Sequence, residues 1–138
     1  MQQGYQVYEQ AHVTTADRGR LLLMLYEGAI NFLREAERRM VEGEEVKARV
    51  FQGRAFQIIA ELMNTLNHEG GGEIAASLHR LYAFMLYHLS EGNLQKSPQH
   101  FDDVARLLIV LQDAFAQAAT IVSRPATPTV RKMTPVAV

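Results

Sequence analysis

The chain of 138 residues contains no cysteine, which excludes disulfides, thiolate metal sites and cysteine nucleophiles and permits a reducing compartment. It also lacks a surplus of charge of either sign, with 14 Lys and Arg against 15 Asp and Glu and a net charge of -1. Proteins that live on phosphate backbones carry a surplus of cations, so nucleic acid is not an expected partner. The first ten residues, MQQGYQVYEQ, have neither the basic start nor the apolar core of a secretion signal. Glu27 interrupts the longest apolar run well short of the about 18 residues that span a bilayer. These absences predict a cytoplasmic protein with no direct membrane insertion. The length fits one domain able to bury a sizeable core.

Catalytic apparatus is missing as well. A di-metal carboxylate site in a helical bundle needs Glu-x-x-His pairs on two helices and further inward glutamates. That spacing occurs only at Glu9 and His12, in a polar stretch. His68, His79, His88 and His100 show no spacing that would make them converge and read as surface or helix-end residues. Ser77, Ser90 and Ser97 have no base and orienter arranged beside them. Gly70-Gly71-Gly72 lacks the Gly-Lys-Ser/Thr ending and the preceding strand of a nucleotide-binding loop, so it reads as a turn. No catalytic, cofactor-binding or metal-ligating residue is predicted, and the chain reads as a non-enzyme.

What the chain does have is apolar residues at helical spacing. The stretch from Leu21 to Leu33, LLLMLYEGAINFL, is apolar around most of a helix and must be covered on several sides. Ala36 and Met40 continue its three-and-four spacing, predicting a helix over 17–42 that Gly43 ends, with Thr14, Thr15 and Asp17 as acceptors at its start. Gly28 costs that helix about 1 kcal/mol relative to alanine and is expected where another helix or a bound peptide comes close. A second helix should start at Glu44 or Glu45, carry Val46, Val50, Ala55, Phe56, Ile59, Leu62, Met63 and Leu66 inward, and end near Asn67. The glycine triplet closes it.

Ile74, Leu78, Leu81, Tyr82, Met85 and Leu89 mark a third helix. Ser97-Pro98 opens a fourth, a hydroxyl cap followed by the residue best tolerated at a first helical position, which continues through Phe101, Leu108, Leu111, Phe115 and Val122. Short links make neighbouring helices antiparallel, so the fold class is all-α, an up-down four-helix bundle over 17–122. Residues 1–16 are too polar for a core of their own and are expected to be mobile or docked on the bundle. The tail, 123–138, holds Pro125, Pro128 and Pro135 and is expected to be disordered.

Two surface features stand out. Arg34, Arg38 and Arg39 share their helix with Glu35, Glu37 and Glu42 and read as a solvated mixed-charge face. The third helix carries LHRLYAFMLYHL, more apolar circumference than a bundle needs, and it is rich in tyrosine and methionine. Those residues suit a surface that accepts another chain, so the pattern supports either a generous core or a groove for a partner's helix. A metal-binding bundle enzyme and a self-associating scaffold are the alternative readings.

Two blocks of sequence resemble the FliS family of flagellar export chaperones. Tyr8, Val13, Thr15-Ala16 and then LLLMLYEGAI from Leu21 to Ile30 look like the family's opening motif; GGEIAASLHRLYAFM from Gly71 to Met85 looks like its second. The likeness covers about residues 8 to 120, departing where Asp17-Arg18 replaces a Ser-Pro or Thr-Pro pair and where Phe115 stands for a tryptophan. The resemblance implies a protein that binds the disordered C-terminal segment of flagellin, keeps it from polymerising, and delivers it to a membrane protein of the type III export gate. It implies a client groove built from Leu21, Leu25, Ile74, Leu78, Leu81, Tyr82 and Met85, a gate-handover role for Tyr8, and an N-terminal segment that covers part of the groove when no client is bound. It leaves open whether an anti-sigma factor or a co-chaperone shares that groove.

Overall fold

The computed structural model describes residues 15–123, with side chains over 17–118. Four helices account for them: α1 (Thr15–Val41), α2 (Glu45–Asn64), α3 (His68–Gln95) and α4 (Pro98–Ser123). No strand occurs among the described residues. The helix α1 packs along both α2 and α4, while α3 closes the ring from the far side and rests more lightly on the same two helices. Cross-helix contacts run in opposite directions along the chain, as Arg34 with Asp102 and Glu27 with Gln112 demonstrate for α1 and α4. The fold is the predicted antiparallel bundle.

The core follows the helical period. Tyr26, Ala29, Leu33, Ala36 and Met40 line the inside of α1, facing Ala48, Ala55, Ile59 and Leu62 of α2, Tyr82, Met85 and Leu89 of α3, and Phe101, Val104 and Leu108 of α4. Burying each large side chain stabilises the fold by roughly 1.5–3 kcal/mol. Val46 and Val50 depart from the predicted pattern. Both face water, because Ala48 and Gln52 take the inward positions at that end of α2.

The helix ends explain the links. After α1, Gly43 turns left-handed at φ 83°, its N–H bonding Met40 O while Glu44 N–H reaches Arg39 O at 2.8 Å, which satisfies two otherwise free carbonyls. The same pairing closes α3 around Lys96 at φ 55°, a conformation that costs a side chain more than glycine. Pro98 opens α4 as predicted, but the Ser97 hydroxyl pairs with the His100 ring at 2.8 Å.

The glycine triplet sits differently from its predicted place. The turn falls upstream of it, because α2 stops at Asn64 and the Asn67 side chain accepts Gly70 N–H at 2.9 Å, capping α3 from His68 onward. The triplet therefore interrupts α3. Gly72 leaves helical geometry at φ 53°, ψ −127°, and a Cβ on Gly71 would come within 2.8 Å of that of Ala75. Gly28 is less constrained than expected, since a Cβ there would meet Ile58 of α2 at an ordinary 3.6 Å. α1 also begins earlier and α4 ends later than predicted, with Thr15 already in α1 and Ser123 still in α4. Tyr8, Glu9, His12 and the expectations for the N-terminal segment and the rest of the tail lie outside the described residues.

Ion pairs gather at the end where α1 meets α2 and α3 meets α4. Arg39 bonds Glu44 across the first link at 2.9 Å, and Lys96 reaches Glu45 of α2 at 3.4 Å. The arginine face is only partly the solvated one predicted, because Arg34 crosses to Asp102 of α4 at 2.6 Å. The guanidinium of Arg34, and then that of Arg106, hold the Asp102 carboxyl below its ordinary range.

Gly72→Ala should lower stability by about 1–3 kcal/mol, since its backbone geometry is nearly glycine-only. Gly53→Ala, in open space within α2, should raise it by about 0.5–1 kcal/mol. Urea denaturation of the two variants measures both, and equal effects would mean that the break at Gly72 is not held in solution.

Candidate functional site

The inward stripe of α3 is uniform in sequence but not in cover. Ile74 is 71 % exposed, Leu78 half-buried, Tyr82 2 % and Met85 0 % exposed. On α1 the same gradient runs from Leu21, 55 % exposed, through the half-buried Leu22 and Leu25 to the fully buried Tyr26. Because the helices alternate in direction, these wet stretches share one end with the last turns of α2 and α4. The described core is thus uncovered at that end and closed at the ion-paired one. Tyr82 and Met85, placed in a groove by the sequence pattern, are core residues, because α2 and α4 cover the stripe from Tyr82 onward.

Two shallow grooves lie on opposite flanks of the bundle. One, of about 630 Å³, lies between α1 and α2 over Leu25, Phe32, Phe56 and Ile58, with Arg54 and Glu61 at its rim. The other, of about 330 Å³, lies between α3 and α4 over Ile74, Leu78, Leu81 and Leu111, beside Glu73 and Ser77. Of the predicted residues, Leu25 belongs to the first groove and Ile74, Leu78 and Leu81 to the second, while Leu21 lines neither. Sequence reasoning missed Phe32, Leu111 and the Arg54 guanidinium, which stands 5.7 Å from the Phe32 ring and 5.4 Å from that of Phe51. Three aromatics within one turn of an arginine, in FQGRAF and the facing NFL, are the signal that would have found this groove.

Beneath the grooves the Tyr26 and Tyr82 hydroxyls hydrogen-bond to each other across the bundle, from α1 to α3. Phe115 of α4 packs on Tyr26 with ring centres 5.7 Å apart. Burial pushes both phenols above their ordinary pKa; the bond to Tyr82 raises that of Tyr26 further, whereas the bond to Tyr26 partly offsets the rise at Tyr82. Both stay protonated, so the pair is a structural tie rather than an acid or base. What the arrangement offers is apolar surface above a fixed polar floor, with Arg54, Glu61 and Glu73 to orient a ligand.

Over residues 1–122 the chain matches the family model described as the flagellar protein FliS. It belongs to the FliS family. The flagellar secretion chaperone FliSB of Pseudomonas aeruginosa is 32 % identical over 115 residues, covering 83 % of this chain and 91 % of that one. The FliS proteins of Vibrio cholerae and Salmonella typhimurium, also named flagellar secretion chaperones, are 31 % identical over 121 residues and 33 % identical over 113. The matches cover 85 % of this chain and 89 % of the first, and 81 % of this chain and 84 % of the second. A family of chaperones is not one of enzymes, and this FliS protein is not an enzyme.

The histidines of this FliS chain converge more than their spacing predicts. The break at Gly72 brings the rings of His68 and His79 to 5.4 Å, and His88 stacks on His100 at 4.2 Å while bonding Asp103 at 2.8 Å. Neither pair extends to three metal-ligating groups among the described residues. No described helix is long and apolar enough to cross a membrane.

Removing one phenol oxygen strands the other in the core, so Tyr26→Phe and Tyr82→Phe should each cost about 1–3 kcal/mol. The double variant should cost less than the two together, and a thermodynamic cycle by chemical denaturation reads the difference. Strict additivity would mean that the hydroxyls do not pair in solution.

Proposed function

We propose that this protein is a cytoplasmic export chaperone for the disordered C-terminal segment of flagellin. The observation that carries this reading is the uncovered end of the core, where the stripes of α1 and α3 run past Tyr26 and Tyr82 into Leu25, Leu21, Leu78 and Ile74. Contiguous apolar surface left in water marks a site for a partner. Two shallow grooves on opposite flanks suit a chain that wraps the end of the bundle and seats short amphipathic helices, each reading residues three and four apart. A client that is disordered when free loses conformational entropy on binding, and a footprint spread over both flanks supplies the apolar burial that offsets it.

Membership of the FliS family and the names of its relatives support a client in flagellar secretion. Covering the C-terminal segment keeps flagellin from polymerising before export. Leu25, Leu78, Leu81 and Ile74 would contact it directly, with Leu21 at the margin. Tyr82 and Met85 would act from below, by keeping the two stripes at one height. Residues 1–16 act as a lid that the client displaces, and Tyr8 within them hands the complex to the membrane protein of the type III export gate.

Calorimetry with the flagellin C-terminal peptide should give a one-to-one complex with a negative heat-capacity change; no heat at any temperature and no shift of the peptide in a gel-filtration check would remove flagellin as the client. Leu78→Asp should weaken binding by about tenfold or more, near 1.4 kcal/mol, with helicity unchanged, whereas Met85→Asp should lose the fold by burying a charge. Equal loss of helicity in both would put Leu78 in the core. Deleting residues 1–16 should tighten the complex, and an unchanged affinity would count against the lid. Tyr8→Ala should leave peptide affinity intact and reduce flagellin export from cells; normal export would take the handover role from Tyr8.

A further inference from the structure

The groove between α3 and α4 is apolar along its floor and acidic at one edge. Ile74, Leu78, Leu81 and Leu111 form the floor, with Glu73 and Ser77 beside them. Glu73 and, one turn earlier, Glu69 are exposed and form no ion pair among the described residues. The end of α4 comes out beside this groove. His88 of α3 bonds Asp103 of α4, and a Cβ on Gly92 would meet His100, so the two helices run antiparallel and the last turns of α4 stand beside the first turns of α3. Residues 124–138 continue the chain from that point. They carry Arg124, Arg131 and Lys132 and no acidic side chain, and Pro125, Pro128 and Pro135 favour an extended course over a longer helix. A polyproline-type chain makes a turn every three residues, about 9.3 Å, so in that course Val130, Met133 and Val136 fall on one side. Their spacing is close to the about 10.5 Å that separates Ile74 from Leu81 along α3.

We infer that residues 124–138 fold back into the α3–α4 groove of their own chain, with Val130 and Met133 over Ile74, Leu78 and Leu81, and with Arg131 and Lys132 beside Glu73. The reach is sufficient. Leu111, the groove residue on α4, lies about 18 Å back from Ser123 along the helix, and Val130, seven residues beyond Ser123, extends to about 23 Å, which leaves slack for the reversal. Charge selects this segment over the other one outside the described residues. Residues 1–14 contain Glu9 and neither lysine nor arginine, and they precede α1, which borders the other groove. A chain tethered at the mouth of its own groove also loses less freedom on docking than a separate one. The docking does not depend on the identity of the client. Its consequence, that the segment and a client compete for Ile74, Leu78 and Leu81, rests on the function proposed above.

The lack of cysteine leaves a single labelling site after one substitution. A nitroxide on Thr134→Cys in the full chain should broaden the methyl resonances of Ile74, Leu78 and Leu81 and leave those of Leu25 and Ile58, in the other groove, sharp. Arg131→Glu with Lys132→Glu should remove that broadening, and so should Glu73→Lys, while the three substitutions together should restore it. Broadening that is absent, uniform or indifferent to these charge changes would overturn the inference. So would equal broadening in a mixture of spin-labelled chains with isotope-enriched, unlabelled ones, since the segment would then be docking on a second copy. Deleting residues 124–138 should tighten binding of the flagellin C-terminal peptide by about twofold or more, the factor by which a half-occupied groove lowers affinity. A peptide bound equally by both chains would overturn the competition. A peptide bound by neither would overturn the proposed client and not the docking, which the broadening decides by itself.

Discussion

Two phenol hydroxyls that cannot be left unpaired set the height at which α3 stands against α1. Those helices face each other across the bundle and are held together mainly through α2 and α4, so the hydroxyl pair is a direct polar tie between them. A shift of one turn, about 5.4 Å, would separate Tyr26 from Tyr82 and leave two buried hydroxyls without partners, at about 1–3 kcal/mol each. Hydrophobic burial supplies most of the stability, and this polar contact, with His88 to Asp103 on the α4 side, favours one register. It also marks a boundary. On one side of it the inward positions of all four helices are closed, and on the other those of α1 and α3 come into water at Leu21 and Ile74.

The opposite end is closed by different means. Left-handed caps at Gly43 and Lys96 turn the chain tightly, and Arg34, Arg39 and Lys96 bridge from one element to the next. Exposed pairs of this kind contribute little singly, about 0–1 kcal/mol. Arg34 is the stronger case because Asp102 is only 13 % exposed and is shared with Arg106. The bundle is therefore polarised along its axis in its ion pairs and turns, although Val41, Val46 and Leu94 are exposed at the charged end as Leu21 and Ile74 are at the other.

The period of the helices was legible in the sequence, and with it the fold, because one apolar stripe per helix is the condition for a bundle. Tyr26, Ala29, Leu33, Ala36 and Met40 fall where spacing puts them. The point at which cover stops was not legible. Ile74 and Met85 belong to one stripe and read alike, yet one is wet and the other dry, since exposure depends on how far the neighbouring helices reach. Met85 and Tyr82 were for that reason expected in a groove that they only support. The glycine triplet misled in a similar way. Three glycines signal a break, but the capping side chain of Asn67 decided that the break falls inside α3 and not before it. Pairings across helices, such as Arg34 with Asp102 or His88 with His100, depend on the angle at which helices meet, and no local pattern encodes that.

The polarity of the bundle has a consequence for how it can bind. A client that wraps the bundle, as proposed, would have to gain apolar contacts on two flanks without dismantling the fold that presents them. The shared apolar core keeps the four helices attached, and the tyrosine pair ties α1 to α3 directly. Beyond that pair α3 is interrupted by Gly72, and its residues up to Ile74 are exposed. The break falls immediately before Glu73 and Ile74, which line the groove between α3 and α4. Under the proposed function, the stability given up at Gly72 and at the exposed Leu21 and Ile74 would be matched to a task, because a fully covered end would be steadier and would have nothing left to offer a client.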